Sequence, residues 1–138
     1  MMTNSDVTIF NLRIGADRRE KFYATRILGV SWYRTEGQSV SDNNRKAATK
    51  CVVRIPFNAI TEGGKQYISE EEYKKLSDEE AERYWTIQKN AYIMRGTYEG
   101  EIPDNPLKSI ENLVTITEFA DNTIRGTNRT KHWRIGGA

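Results

Sequence analysis

Apolar and polar residues alternate along several short stretches of this chain, the period of a half-buried strand. In residues 7–12, Val7 and Ile9 share one face and Thr8 lies on the other. In residues 50–57 the alternation is strict: Cys51, Val53, Ile55 and Phe57 face one way, and Lys50, Val52, Arg54 and Pro56 the other. Pro56 has no amide to donate, so this strand ends there or runs along an edge. Residues 21–35, KFYATRILGVSWYRT, are β-branched and aromatic, with Gly29 placed for a bulge or bend. Further strands are predicted over 84–88, 91–96, 113–119 and 132–135. Lys89-Asn90 forms a tight turn between the first two, and in the last Trp133 and Ile135 share a face opposite His132 and Arg134. That closing strand is a candidate exposed edge.

Polar, turn-forming segments separate these strands. Residues 36–46 (EGQSVSDNNRK), 100–109 (GEIPDNPLKS) and 120–131 (ADNTIRGTNRTK) read as loops. Helical signals are confined to residues 69–83. Ser69 with Glu72, and Ser77 with Glu80, each match a capping box, in which serine and glutamate satisfy free amides at a helix start. Two boxes so close together predict two short helices, over about 70–76 and 78–83, anchored by Tyr73 and Leu76 as a surface excursion. Strands do not alternate with long helices, so a parallel α/β fold is excluded. The expected architecture is mainly β: one domain over residues 1–138, a small antiparallel barrel or sandwich with a short helical insertion.

Composition narrows the function more than the fold. The chain has 138 residues, 37% hydrophobic and 10% aromatic, enough for a modest core. Its formal net charge of +2 neither requires nor forbids a nucleic-acid partner. Cys51 is the only cysteine, so neither an internal disulfide nor a cysteine-rich zinc site can form. Residues 1–6 lack a basic-then-apolar leader pattern, and no stretch is apolar enough to span a membrane, so the expectation is a soluble protein made in a reducing cytoplasm.

Candidate chemistry is sparse. His132 is the only histidine, and nothing in the sequence pairs it with a nucleophile. Cys51 lies on the apolar face of its strand, as a small core residue would. The glutamates of residues 70–82 suit helix N-termini better than a metal site. Gly63-Gly64-Lys65 lacks the spacing of a phosphate loop. The chain is therefore expected to be non-enzymatic and to need no cofactor or metal. The donor-rich segment around Arg125, Arg129, Lys131, His132 and Arg134, with Arg45 and Lys46 in the earlier loop, is the candidate contact surface. It suits an acidic protein patch or the phosphates of DNA. A protein partner is favoured, because aromatics are not interleaved with these charges as in single-strand binders.

Several segments together resemble the small minor-capsid or head-completion proteins of long-tailed bacteriophages and prophages. The opening SDVTIFNLR is similar to a first strand of that group. RTEGQSVSDNNRKAATKCVVRIPF is similar to its loop and alternating strand, and YISEEEYKKLSDEEAERYWTIQKNAYIMRG to its helical insertion and following strands. The tail ITEFADNTIRGTNRTKHWRIGGA, with Asp121-Asn122, Gly126, His132-Trp133-Arg134 and Gly136-Gly137, is the most specific part. The resemblance implies a virion protein at the head-to-tail junction. The implied role is a head-closure (stopper) component, a cyclic ring of copies of itself between the portal-adaptor assembly and the tail terminator, touching packaged DNA without reading its sequence. A tail terminator, another minor capsid protein, or a non-specific nucleic-acid-binding module are the competing expectations.

Overall fold

The computed structural model describes residues 3–15, 18–38, 47–102, 106–110, 113–124, 126 and 130–137. In chain order the strands and helices are β1 (Ser5–Ile14), β2 (Glu20–Gln38), β3 (Ala47–Pro56), β4 (Ile60–Thr61), β5 (Gln66–Tyr67), α1 (Glu70–Lys75), α2 (Asp78–Ala81), β6 (Tyr84–Trp85), β7 (Tyr92–Arg95), α3 (Pro106–Ser109), β8 (Leu113–Asn122) and β9 (His132–Gly137). The main sheet runs β1-β7-β8-β9-β3-β2, and β1 also pairs with β2, so six antiparallel strands close into a barrel. Two three-strand meanders, β1-β2-β3 and β7-β8-β9, are joined edge to edge. Closure removes most of the sheet edges that would otherwise invite unwanted pairing, leaving the end of β1 and the outer part of the β2–β3 ribbon unflanked on one side.

The barrel interior is filled by the residues the alternation marked. Val7, Ile9, Val53, Ile55, Ile93, Ile116 and Ile135 are fully or almost fully buried, with Cys51 among them. Two bulges decide which residues of β2 and β8 point inward. On β2, one residue of β1 is matched by two around Gly29, which sits at φ +78° and donates its amide to Asp6. Before the bulge the odd residues Thr25 and Ile27 are buried; after it the even residues Val30 and Trp32 are. A bulge between Ile116 and Glu118 does the same on β8 and brings Phe119 against the core.

Residues 57–91 leave the barrel and return. The two helices start where the capping boxes place them: Ser69 Oγ accepts from the Glu72 amide and Ser77 Oγ from the Glu80 amide. Tyr73 is fully buried beneath them. Arg13 on β1 ties the insertion down, donating to the carbonyls of Tyr73 and Leu76 at 2.6 and 2.5 Å, with its guanidinium over the Tyr73 ring. Burial pushes the Tyr73 hydroxyl well above the ordinary tyrosine pKa, although Arg13 opposes this.

The structure departs from the sequence expectation in several places. A short helix, α3, stands at Pro106–Ser109 inside the segment expected as a loop over 100–109. Phe57, expected on the face of Cys51, Val53 and Ile55, follows the end of β3 at Pro56 and is 39% exposed. The segment expected as a loop over 36–46 is strand up to Gln38, and β3 starts at Ala47. The loop expected from Ala120 begins after Asn122, because β8 stays paired with β9 to that point. The strand expected over 84–88 is a ladder only at Tyr84–Trp85. Beyond it, side-chain amides take the place of backbone partners: Asn11 spans the backbone of Thr86, and Gln88 spans that of Leu12. Finally, β9 is not an edge, since β8 and β3 flank it on both sides.

Candidate interaction face

The outer surface of β8, β9 and β3 carries the described part of the expected contact surface. Trp133 and Ile135 point into the core, so His132 and Arg134 point out. Pairing places His132 between Pro56 and Asn122, Arg134 between Arg54 and Ala120, and Gly136 between Val52 and Glu118. Arg54 and Arg134 therefore lie directly opposite each other across two strands, an arrangement that is unfavourable unless each charge has its own counter-group. Arg134 has Glu118 at 3.6 Å. Arg54 lies over the Tyr33 ring, 5.7 Å from its centroid. Gly136 makes the first contact possible, because a Cβ there would lie 3.0 Å from the Glu118 carboxylate.

Lys131 and His132 form the lower part of the face. The Phe57 amide donates to the Lys131 carbonyl, and the Lys131 ammonium lies 5.9 Å from the Phe57 ring centroid. His132 Nδ1 is 2.7 Å from the Thr130 carbonyl and Nε2 is 3.3 Å from the Asn122 amide nitrogen. Asp121 closes the adjoining turn by accepting from the amide and hydroxyl of Thr123. Of the seven residues expected at the contact surface, Lys131, His132 and Arg134 are brought together here. Arg45, Lys46, Arg125 and Arg129 lie outside the described residues.

Arg54, Glu118 and Tyr33 also belong to this face without having been expected there, and Phe57 joins it instead of the inner face its alternation predicts. Alternation alone put Arg54 on the outer face, but only the register of β3 against β9 sets it beside Arg134. Tyr33, Phe57 and Ile124 are exposed apolar side chains on or next to this surface, the last 80% exposed. Arginine beside exposed aromatics is the composition of protein interfaces.

Behind this face, Tyr67, Trp85 and Trp133 pack in mutual contact, with ring centroids 4.7–5.3 Å apart. Burial, helped by Asp121 and Glu70, pushes Tyr67 up to about 12. Nearby, Lys65 donates to the Ala24 carbonyl and Thr25 hydroxyl, and burial lowers its pKa against the pull of Glu62 and Glu82. Among the described residues no cluster of histidine, cysteine and carboxylates could hold a metal ion, and no helix is long and apolar enough to cross a membrane.

Residues 2–138 match the model of a family described as a family of unknown function, DUF6751, and the chain belongs to that family. No curated protein and no solved structure matches it.

Proposed function

We propose that this DUF6751 barrel is a structural, non-catalytic subunit of the head-to-tail junction of a long-tailed phage particle, a head-closure component that assembles into a cyclic ring. The sequence resemblance supplies the virion context. The observation that carries the ring role is the β2–β3 ribbon. β9 pairs with β3 only as far as Cys51, whereas β2 and β3 stay paired to Gln38 and Ala47. A two-strand arm thus runs past the closed barrel, as a subunit would need to reach a neighbour in a head-to-tail ring. The Arg54–Arg134 face, with its exposed aromatics, supplies a second contact surface. The only histidine, at the start of β9, contacts the Thr130 carbonyl and the Asn122 side chain, in keeping with a structural role.

In this reading the partners are further copies of the chain, the portal-adaptor assembly above and the tail terminator below. Packaged DNA makes at most passing contact. Phosphate binding is the weaker use of the basic face, since Arg134 already faces Glu118 and Arg54 already faces an aromatic ring. The test is electron microscopy of phage particles made without the protein. Heads that fail to retain their DNA, and separate tails, are expected. Normal joined particles exclude the neck role, and defective tails with normal necks indicate a tail terminator.

A further inference from the structure

Beside the first hairpin lies a groove of about 340 Å³, between the end of β1, helix α1 and the turn at residues 88–91. Its floor is a strand edge that the barrel leaves open. β7 pairs with β1 only up to Phe10. Past that point the Gln88 side chain takes over, accepting from the Leu12 amide at 2.8 Å and donating to the Leu12 carbonyl at 3.0 Å. Backbone groups of an antiparallel strand face alternate sides. The Gly15 amide bonds to Arg19 across the hairpin, so odd residues of β1 face β2 and even ones face the groove. Ile14 is the next even residue: it stands opposite Glu20 in the β1–β2 register, and by this alternation its amide and carbonyl face the groove, beyond the last β7 partner of β1. Its side chain is 68% exposed.

The charged walls point to what the groove accepts. Arg13 lines it with a side chain only 5% exposed, and its Nε–H is buried without an acceptor. The nearest carboxylate to its guanidinium, Asp78, is 3.4 Å away and half-exposed. Lys89 also lines the groove and has no ion-pair partner among the described residues. The one acidic wall residue, Glu70, is paired to Lys74 at 3.2 Å. The groove therefore combines an open strand edge, apolar surface from Leu12 and Ile14, the buried Arg13 Nε–H without an acceptor, and the Lys89 ammonium without an ion-pair partner among the described residues.

The geometry points to a strand-addition site for an extended segment of a partner protein carrying acidic side chains beside an apolar one. The segment's backbone completes the pairing of Ile14. Its apolar side chain rests on Leu12 and Ile14, and a carboxylate lies toward Lys89 and Arg13. This site is separate from the Arg54–Arg134 face, and the inference holds whether or not the protein sits in a phage neck.

The test selects binders from a random-peptide library on the full-length protein, then follows amide exchange by NMR in the isotope-labelled protein. Enriched sequences should place acidic residues beside an apolar one, and the selected peptide should slow exchange of the Ile14 amide. Lys89→Glu, an exposed change that leaves the fold intact, should weaken the peptide by about fivefold or more. Ile14→Pro, which removes the pairing amide, should abolish binding of the selected peptide. No enrichment, enrichment without acidic positions, protection elsewhere on the barrel, or unchanged affinity in Lys89→Glu overturns the proposal. Ile14 protection that grows with protein concentration alone also overturns it, by making a second copy the occupant.

Discussion

The Asn11 carboxamide spans the backbone of Thr86, donating to its carbonyl at 2.6 Å and accepting from its amide at 3.2 Å. Both residues are buried. One side chain thus does the work of a strand where the barrel has none, and Gln88 repeats the arrangement at Leu12. Asn11→Ala leaves a buried amide and carbonyl without partners and should destabilise the fold by about 2–4 kcal/mol in urea unfolding. Asn11→Asp keeps only the accepting half and should not restore the loss. A change below about 0.5 kcal/mol would show that water replaces the side chain there.

Arg13 holds the helical insertion to the barrel through two carbonyls and the Tyr73 ring. Arg13→Met should cost about 2–4 kcal/mol and speed amide exchange in residues 70–81 before the barrel strands respond. Asp78→Ala touches only the half-exposed end of the same contact, and its cost should stay within about 1 kcal/mol.

The glycines near the C-terminus differ sharply in what they tolerate. A Cβ at Gly137 would meet the Thr115 carbonyl at 2.5 Å and Val114 at 2.6 Å. That backbone cannot yield cheaply, so Gly137→Ala should cost about 1–3 kcal/mol. Gly136→Ala meets only the flexible Glu118 side chain and should cost less, mainly by moving Glu118 off Arg134. Thermal melts of the two variants should rank them in that order.

Much of this architecture was legible in the residues. Both capping serines are where the sequence puts them, Cys51 is buried, and Gly29 marks a bulge. The interior positions of β1 and β3 follow from period-two alternation. What could not be read depends on contacts distant in sequence. Closure of the barrel decides that β9 has two neighbours. Bulges at Gly29 and after Ile116 switch the inward parity of β2 and β8, which a fixed period cannot anticipate. The facing of Arg54 and Arg134 needs the β3–β9 register, and the roles of Asn11 and Gln88 need a partner more than seventy residues away.

Alkaline pH should unfold the protein through the buried Tyr73 and the half-buried Tyr67. The folded-state pKa values of Tyr67 and Tyr73 lie above the ordinary 10.0, reaching about 12 for Tyr67. Their neutral forms are favoured in the fold, so their contribution is complete below pH 10 and is lost as pH rises through the folded values. Lys65 acts in the opposite sense, because its folded pKa lies below 10.5. Its contribution rises with pH and is complete once pH passes 10.5. Stability should therefore fall above about pH 10.5, and the fall should shrink in Tyr67→Phe and Tyr73→Phe. An alkaline transition unchanged in both variants would show that these two rings do not cause it.

The neck assignment is tested most directly by imaging the intact particle at a resolution that traces strands. A ring of six-stranded barrels is expected between portal and tail, with the β2–β3 arm of each subunit reaching its neighbour. Density for this barrel on the capsid lattice or along the tail tube, or no such barrel in the particle, would contradict it.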